Sequence, residues 1–204
     1  MGAFTSIAAV GLSLESLLTR RLDAAFTADS TLFRRRSKAR LVRTEQFSRA
    51  ANTVGAIDEG TVSIFCYRAD IDRTMRPPWS AVSATTGRTH VPIDLHFLFT
   101  AWDSDAEAEL RLIGFTLLTL ESVPSLSGPL LHPAGAWEPG ESVQLINEDL
   151  LTEDVLRTFE TLPADFRLSV SYVARVVRLS VPIEPDHGDV LTAVSGSTPT
   201  PVRA

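Results

Sequence analysis

The chain of 204 residues has a single cysteine, Cys66, which excludes internal disulfides and CxxC metal sites. Cys66 lies in the apolar run VSIFCY, a context typical of a small buried side chain. The sequence contains no Gly-rich phosphate loop, no GxSxG elbow and no HExxH pair, so it carries no familiar motif for nucleotide binding, ester hydrolysis or zinc proteolysis. A basic stretch followed by a long apolar segment is also missing from the amino terminus, so we expect no secretory signal and a cytoplasmic location.

Long apolar runs are equally scarce. The longest helical one, LRLIGFTLLTL, is far shorter than a membrane span, so we expect a packed core helix and no membrane partner. The run is apolar almost all round, which predicts packing on more than one side, with Gly114 allowing a neighbouring backbone to approach closely.

The net charge of −6 argues against general nucleic-acid binding. The positive charge is nevertheless concentrated, because nine of the nineteen basic residues lie between Arg20 and Arg49. We call residues 34–40, with the sequence RRRSKAR, the basic segment; its charged residues are Arg34, Arg35, Arg36, Lys38 and Arg40. A solvated loop and a docking site for an acidic protein both fit this segment, whereas nucleic acid fits less well because no aromatic residues interleave with the arginines.

The hydrophobic pattern predicts an α/β (α+β) fold, a single domain with a mixed or antiparallel sheet flanked by about three helices. Thr5 or Ser6 is expected to cap a first helix, whose apolar positions recur at helical spacing from Ile7 to Leu22. Further helices are predicted for 104–122, opened by a capping box of Ser104 and Glu107, and from Thr152. Strands are predicted at 40–47, 61–69 (an inner strand), 91–101, 141–147 and 165–181.

Two features concern the end of the chain. In the last strand the apolar residues occupy even-numbered positions up to Val176 and odd-numbered positions from Val177 onwards. This change indicates a β-bulge or a switch in which face of the strand is covered. Residues 183–204 are rich in Pro, Ser and Thr and contain no aromatic residue, so we expect a domain of residues 1–182 followed by a flexible tail.

The segment PIDLHFLFTAW raises the question of a catalytic site. On an extended strand Asp94 and His96 share one face, where they could orient an imidazole or offer two metal ligands. A triad would still lack its nucleophile and a metal site at least one ligand, so we favour a covered face on which both residues are hydrogen-bonded. His132 and Trp137 in the following loop either mark a ligand site or pin the loop to the body, and pinning is the commoner role.

Four segments together carry a family resemblance. PIDLHFLFTAW, LIGFTLLTLESVP, LTEDVLRTFETLP and DFRLSVSYVARVVRL, preceded by a strand that contains the pair Tyr67 and Arg68, resemble the tube-terminator or cap family of contractile injection systems. These systems are phage-tail-like particles of the antifeeding-prophage type. The chain differs conservatively from the usual pattern, with Phe97, Phe99 and Trp102 in the first segment and Phe159 where the family often has Trp.

The resemblance implies a tail-terminator-like structural protein rather than an enzyme, with no cofactor and no metal. It implies a hexameric ring on the inner-tube end distal to the baseplate, with the tube and sheath proteins as partners, in a particle that can leave the producing cell. Strand edges would then be available to sheath subunits. Asp94, His96 and the basic segment become interface candidates. A small-molecule enzyme that uses Asp94 and His96, and a free-standing adaptor that docks through the basic segment, are the alternatives.

Overall fold

The computed structural model describes residues 4–48, 56–75 and 88–182. The expected tail, 183–204, lies outside the described residues. Within the described ranges the helices are α1 Thr5–Ala28, α2 Ala106–Glu121 and α3 Thr152–Glu160. The strands are β1 Lys38–Leu41, β2 Thr61–Ile71, β3 Arg88–Trp102, β4 Ser125–Ser127, β5 Ser142–Asn147 and β6 Ser169–Pro182. No helix in the described residues is both long and apolar enough to cross a membrane.

The strands form one mixed sheet in the order β1-β2-β3-β6-β5-β4. β1 is parallel to β2, and all other neighbours are antiparallel. This arrangement confirms the predicted α+β fold and the inner position of β2. The prediction of a strand over 40–47 is only partly correct, because β1 ends at Leu41 and a 3₁₀ turn covers Thr44–Phe47, where the backbone N–H of Arg43 donates to Gln46 Oε1 at 2.8 Å.

α1 and α2 cover one face of the sheet. The apolar stripe of α1 is fully buried, with Leu14, Leu18 and Leu22 all at 0% exposure. These leucines pack in one cluster with Phe97 and Phe99 of β3, and each such buried side chain stabilises the fold by about 1.5–3 kcal/mol. The β3 side chains that point towards α1 therefore form one side of the main core.

α2 begins one residue later than the predicted capping box. Asp105 is the N-cap and accepts the backbone N–H of Ala108 at 3.2 Å, whereas the backbone N–H of Ser104 donates to Asp103 Oδ1 at 2.8 Å. A carboxylate one position downstream therefore replaces the serine hydroxyl as the cap.

Within the described residues, α2 is packed on one side only. Its outer side exposes Leu110 and Leu118 at 59% and 67%, and a Cβ at Gly114 would meet nothing within 4 Å in the described chain. The expected close approach at Gly114 is therefore absent within the described residues, because α2 forms an outer layer of the domain.

A smaller core lies on the opposite face of the sheet. It is formed by Val42, Phe47, Leu98, Trp102, Phe159 and Leu162. α3 thus packs on the sheet face that carries Asp94 and His96, over the end of β3 at Leu98 and Trp102.

Two β-bulges shift the register. Cys66 lies opposite Phe97 and Arg68 opposite His96, so Tyr67 is the extra residue of β2. In β6, Ala174 lies opposite Leu95 and Val177 opposite Ile93, so the strand has one residue more than β3 there. The second bulge confirms the one predicted from the change of parity at Val176 and Val177.

The loop after α2 is held by His132 and Trp137. The backbone N–H of His132 donates to Ser13 Oγ of α1 at 2.7 Å, and Trp137 Nε1–H donates to the backbone carbonyl of His132 at 2.7 Å. Both residues therefore pin the loop to the body, as favoured from the sequence.

Candidate functional site

His96 lies at the centre of a polar group on the sheet face opposite α1. We call the residues Tyr67, Arg68, Asp70, His96 and Glu148 the sheet-face cluster. His96 is only 6% exposed, and its Nδ1 lies 2.8 Å from Glu148 Oε1. Its Nε2 lies 3.1 Å from Arg68 Nη2 and 3.4 Å from Asp70 Oδ2. The network fits a tautomer in which Nδ1–H donates to Glu148 and Nε2 accepts from Arg68.

The bulge in β2 brings Tyr67 and Arg68 into this cluster together. Strict alternation would turn neighbouring side chains to opposite faces, but the extra residue leaves both on the His96 side. The Tyr67 hydroxyl donates to Glu148 Oε2 at 2.5 Å. Burial, followed by this hydrogen bond to a carboxylate, raises the pKa of Tyr67 above its ordinary value.

Asp94 belongs to a second group with Asp72 and Arg175. Arg175 Nη2 lies 2.9 Å from Asp72 Oδ2, and Arg175 Nε lies 3.4 Å from Asp94 Oδ2. Asp72 also accepts the backbone N–H groups of Thr74 at 2.8 Å and Met75 at 3.0 Å. The Met75 hydrogen bond and then Arg175 lower the pKa of Asp72, against the opposing effect of burial.

The structure therefore places Asp94 and His96 on one face, as predicted, but gives each a different set of partners. Glu148 is not predictable from the sequence, since it lies 52 positions from His96 and its local pattern does not distinguish it from other surface carboxylates. Only the order of strands brings it there, because β5 reaches β3 through β6. Within the described residues, no group of three or more His, Cys, Asp or Glu side chains could hold a metal ion.

The basic segment is largely neutralised by carboxylates of its own chain. Arg35 lies 2.7 Å from Glu59 and 3.6 Å from Asp103, Arg36 lies 2.5 Å from Asp23, and Lys38 lies 3.0 Å from Asp58. Arg40 Nη1 donates to the backbone carbonyl of Ala56 at 3.2 Å. Arg34 is exposed and has no ion pair within the described residues. Of the five charges, Arg34 is therefore the most available to a partner.

A second charged surface surrounds α3. We define the acidic face as Leu151, Asp154, Leu156, Glu160 and Asp165, all of which are exposed. Leu151 and Leu156 are 70% and 42% exposed. The surface combines apolar side chains with a carboxylate rim, a composition that suits protein contacts better than a small-molecule site.

The outer edge of β1 is closed by side chains of α1. The backbone N–H of Leu41 donates to Glu15 Oε2 at 2.7 Å, and that of Ala39 donates to Thr19 Oγ1 at 3.0 Å. These amides would otherwise face outwards at the edge of the sheet and could pair with an added strand. The expectation that strand edges are open to sheath subunits therefore does not hold at β1.

Comparisons with known proteins give a family and a fold. The family model described as the Pvc16 N-terminal domain matches residues 9–193. The PVC sheath/tube terminator of an extracellular contractile injection system, in its extended state, has a TM-score of 0.53 at 21% identity. That alignment covers 91% of this chain and 63% of the other.

A cryo-EM structure of the anti-feeding prophage cap, a tube-terminating cap, is similar with a TM-score of 0.45 at 16% identity. The alignment covers 86% of this chain and 60% of that one, so the chain spans less than two thirds of both solved structures. The comparison with curated proteins gives no match. Because the family model covers most of the chain and confirms the resemblance seen in its segments, the chain belongs to the Pvc16 N-terminal domain family.

Proposed function

We propose that the protein is a structural cap of a contractile injection system. It forms a ring, of six copies, on the distal end of the inner tube and joins the last layer of sheath. The observation that carries this proposal is the family match over residues 9–193, together with the fold shared with a sheath/tube terminator. The particle is assembled in the cytoplasm and can be released from the cell.

The closed edge of β1 supports this role. An assembly ends when its last subunit presents a complementary surface on one side and no growth surface on the other. Glu15 and Thr19 occupy the backbone N–H groups of Leu41 and Ala39, so this edge does not offer a row of free donors to a further subunit. A terminator needs a surface that does not bind a further subunit, whereas a polymerising subunit needs a growth surface on both sides.

An enzyme that uses Asp94 and His96 is a weaker candidate. Both ring nitrogens of His96 already lie within hydrogen-bonding distance of Glu148 and Arg68, and the side chain is nearly buried. A general base needs a nitrogen that can reach the proton of a substrate. Asp94 lies beside Arg175, which makes a structural ion pair the better assignment.

A free-standing adaptor would use the basic segment to dock on an acidic partner. Three of the five charges of that segment are paired with carboxylates of the same chain, which reduces the field available for docking. The exposed arginines of the segment, Arg34 and Arg36, fit a contact that the other interactions of an assembled ring support better than they fit independent docking.

A deletion strain tests the cap. Without the gene, particles should be uncapped, irregular in length or unstable at the distal end, since the last tube ring keeps an unsatisfied interface. Electron microscopy of purified particles measures tube and sheath lengths, baseplates serve as the internal control, and expression of the full chain should restore a uniform length. Particles of normal, uniform length from the deletion strain would refute the cap.

A further inference from the structure

α3 is held to the domain by few contacts and presents apolar side chains outwards. Phe159 is the single buried residue of its nine. Leu151, Leu156 and Phe166 are 70%, 42% and 51% exposed, and Phe166 touches Phe159 with ring centroids 5.5 Å apart. A helix of this length is marginal without further packing. Its outer side therefore has the character of a surface that another protein covers.

The charge around α3 points to the kind of partner. Six carboxylates and one arginine lie between Glu148 and Asp165. Asp154, Glu160 and Asp165 are exposed and form no ion pair within the described residues. A matching surface must therefore be basic and must include some apolar area.

The chain itself carries exposed arginines beside an exposed leucine on the other side of the sheet. The basic segment follows Phe33, which packs in the core beneath α1 and α2, whereas Phe159 of α3 packs in the opposite core. Arg34 has no ion pair within the described chain, Arg36 is 69% exposed although it pairs with Asp23, and Leu32 is 43% exposed. The two faces of the sheet thus differ, because exposed arginines and Leu32 lie on one side, whereas carboxylates without ion pairs in the described residues and two exposed leucines lie on the other.

We propose that the basic segment of one copy docks on the acidic face of the next copy. A closed ring requires a head-to-tail contact between two different surfaces of the same chain, and these two surfaces meet that requirement. The leucines supply apolar area to the contact, and the charges steer the approach and fix its register. This inference rests on the ring of the proposed function and names the contact that builds it.

Charge reversal on each side tests the contact. The first variant carries Asp154→Arg and Glu160→Arg, and the second carries Arg34→Glu and Arg36→Glu. The control carries Arg43→Glu and Glu45→Arg, which inverts an ion pair that is 81% and 72% exposed and lies outside both surfaces. Thermal melting checks that each full-length protein folds. Native mass spectrometry and electron microscopy, in the presence of the tube protein, measure the concentration needed for ring formation.

Each reversed variant should require about tenfold more protein to form rings than wild type or control, because like charges then face each other. An equimolar mixture of the two variants should recover assembly. In alternating order, one contact pairs the two reversed surfaces and the next contact pairs the two unchanged surfaces, so opposite charges meet at every contact. The recovered rings should contain alternating copies and an even number of subunits. Combining all four substitutions in one chain should restore assembly as well.

The outcomes separate the contact from the ring. Rings formed equally well by wild type and both variants, or a mixture that assembles no better than its components, would overturn the contact alone. A wild-type chain that stays monomeric with the tube protein present would overturn the ring and the contact together.

Discussion

Glu148 and His96 are joined by a 2.8 Å hydrogen bond across 52 positions of sequence. The two residues belong to parts of the sheet that are not neighbours, because β6 lies between β5 and β3. The same carboxylate accepts the hydroxyl of Tyr67 from β2 at 2.5 Å. One side chain after β5 therefore ties together two inner strands on the face opposite α1.

Replacement of Glu148 by Gln should reduce the free energy of unfolding by about 1–3 kcal/mol. An amide offers one acceptor oxygen, so Tyr67 and His96 could no longer each donate to a separate oxygen of residue 148, and this buried network would have to rearrange. Urea unfolding measures the change. Glu153→Gln, in an exposed pair with Arg157, is the matched control and should change stability by less than about 0.5 kcal/mol. Equal effects of the two substitutions would show that the cluster contributes little.

Asp72 makes the free energy of unfolding depend on pH in the acidic range. Its pKa is lowered in the folded chain, so its contribution is complete above the ordinary value near 4 and is lost as the pH falls through the lowered value. Asp72→Asn should therefore be destabilising at pH 7, and the difference from wild type should shrink below about pH 4. Urea unfolding at a series of pH values measures this. Asp58→Asn, at a position 67% exposed, is the control, and a difference from wild type that is constant with pH would contradict the assignment.

Arg34 and Arg35 are adjacent but should respond differently to charge reversal. The Asp103 side chain beside Arg35 is only 2% exposed, so Arg35→Glu would place a second carboxylate next to a buried one. We expect a loss of about 1–3 kcal/mol for Arg35→Glu and less than about 0.5 kcal/mol for Arg34→Glu. Thermal melting of both proteins decides this, and similar melting temperatures would show that the Arg35 pairs are not structural. Assembly studies of the basic segment should therefore leave Arg35 unchanged.

Local patterns in the sequence predict most of the elements. The helical spacing of Leu14, Leu18 and Leu22 and the alternation of β3 are strong because one face of each element is buried. The bulge in β6 can also be predicted from the sequence, since an extra residue moves the following apolar side chains from odd to even positions or the reverse if they are to stay on the buried face. The end of β1 is harder to predict, because a side chain such as Gln46 can replace strand pairing with a local turn.

The composition of the sheet-face cluster could not be predicted in the same way. Asp94 and His96 lie two positions apart on β3, so the alternation of side chains along the strand is enough to place them on the same face. The partners of these residues, Glu148 and Arg175, depend on the order of the strands, which two-residue periodicity does not encode. The ion pairs of the basic segment have the same origin, because Asp58, Glu59 and Asp103 approach it only after β1 pairs with β2.

The edge of β1 leads to a prediction about the termination of growth that we propose for this protein. Thr19 Oγ1 lies 3.0 Å from the backbone N of Ala39, and Glu15 Oε2 lies 2.7 Å from that of Leu41. A chain with Thr19→Val and Glu15→Leu keeps the helix and its approximate volume but removes both acceptors. Both amides would then be free to pair with a strand from another molecule.

We expect this double variant to lose about 2–4 kcal/mol of stability, from two amides left without partners, and to associate in a concentration-dependent way. Light scattering follows association, and hydrogen exchange at Ala39 and Leu41 should be faster in the dilute monomer. Ser16→Ala on the same helix is the control and should behave as wild type. In cells, the variant should restore particle length less completely than the wild-type chain. If it neither associates nor exchanges faster, side chains of α1 do not close this edge, and the proposed termination must depend on other surfaces of the chain.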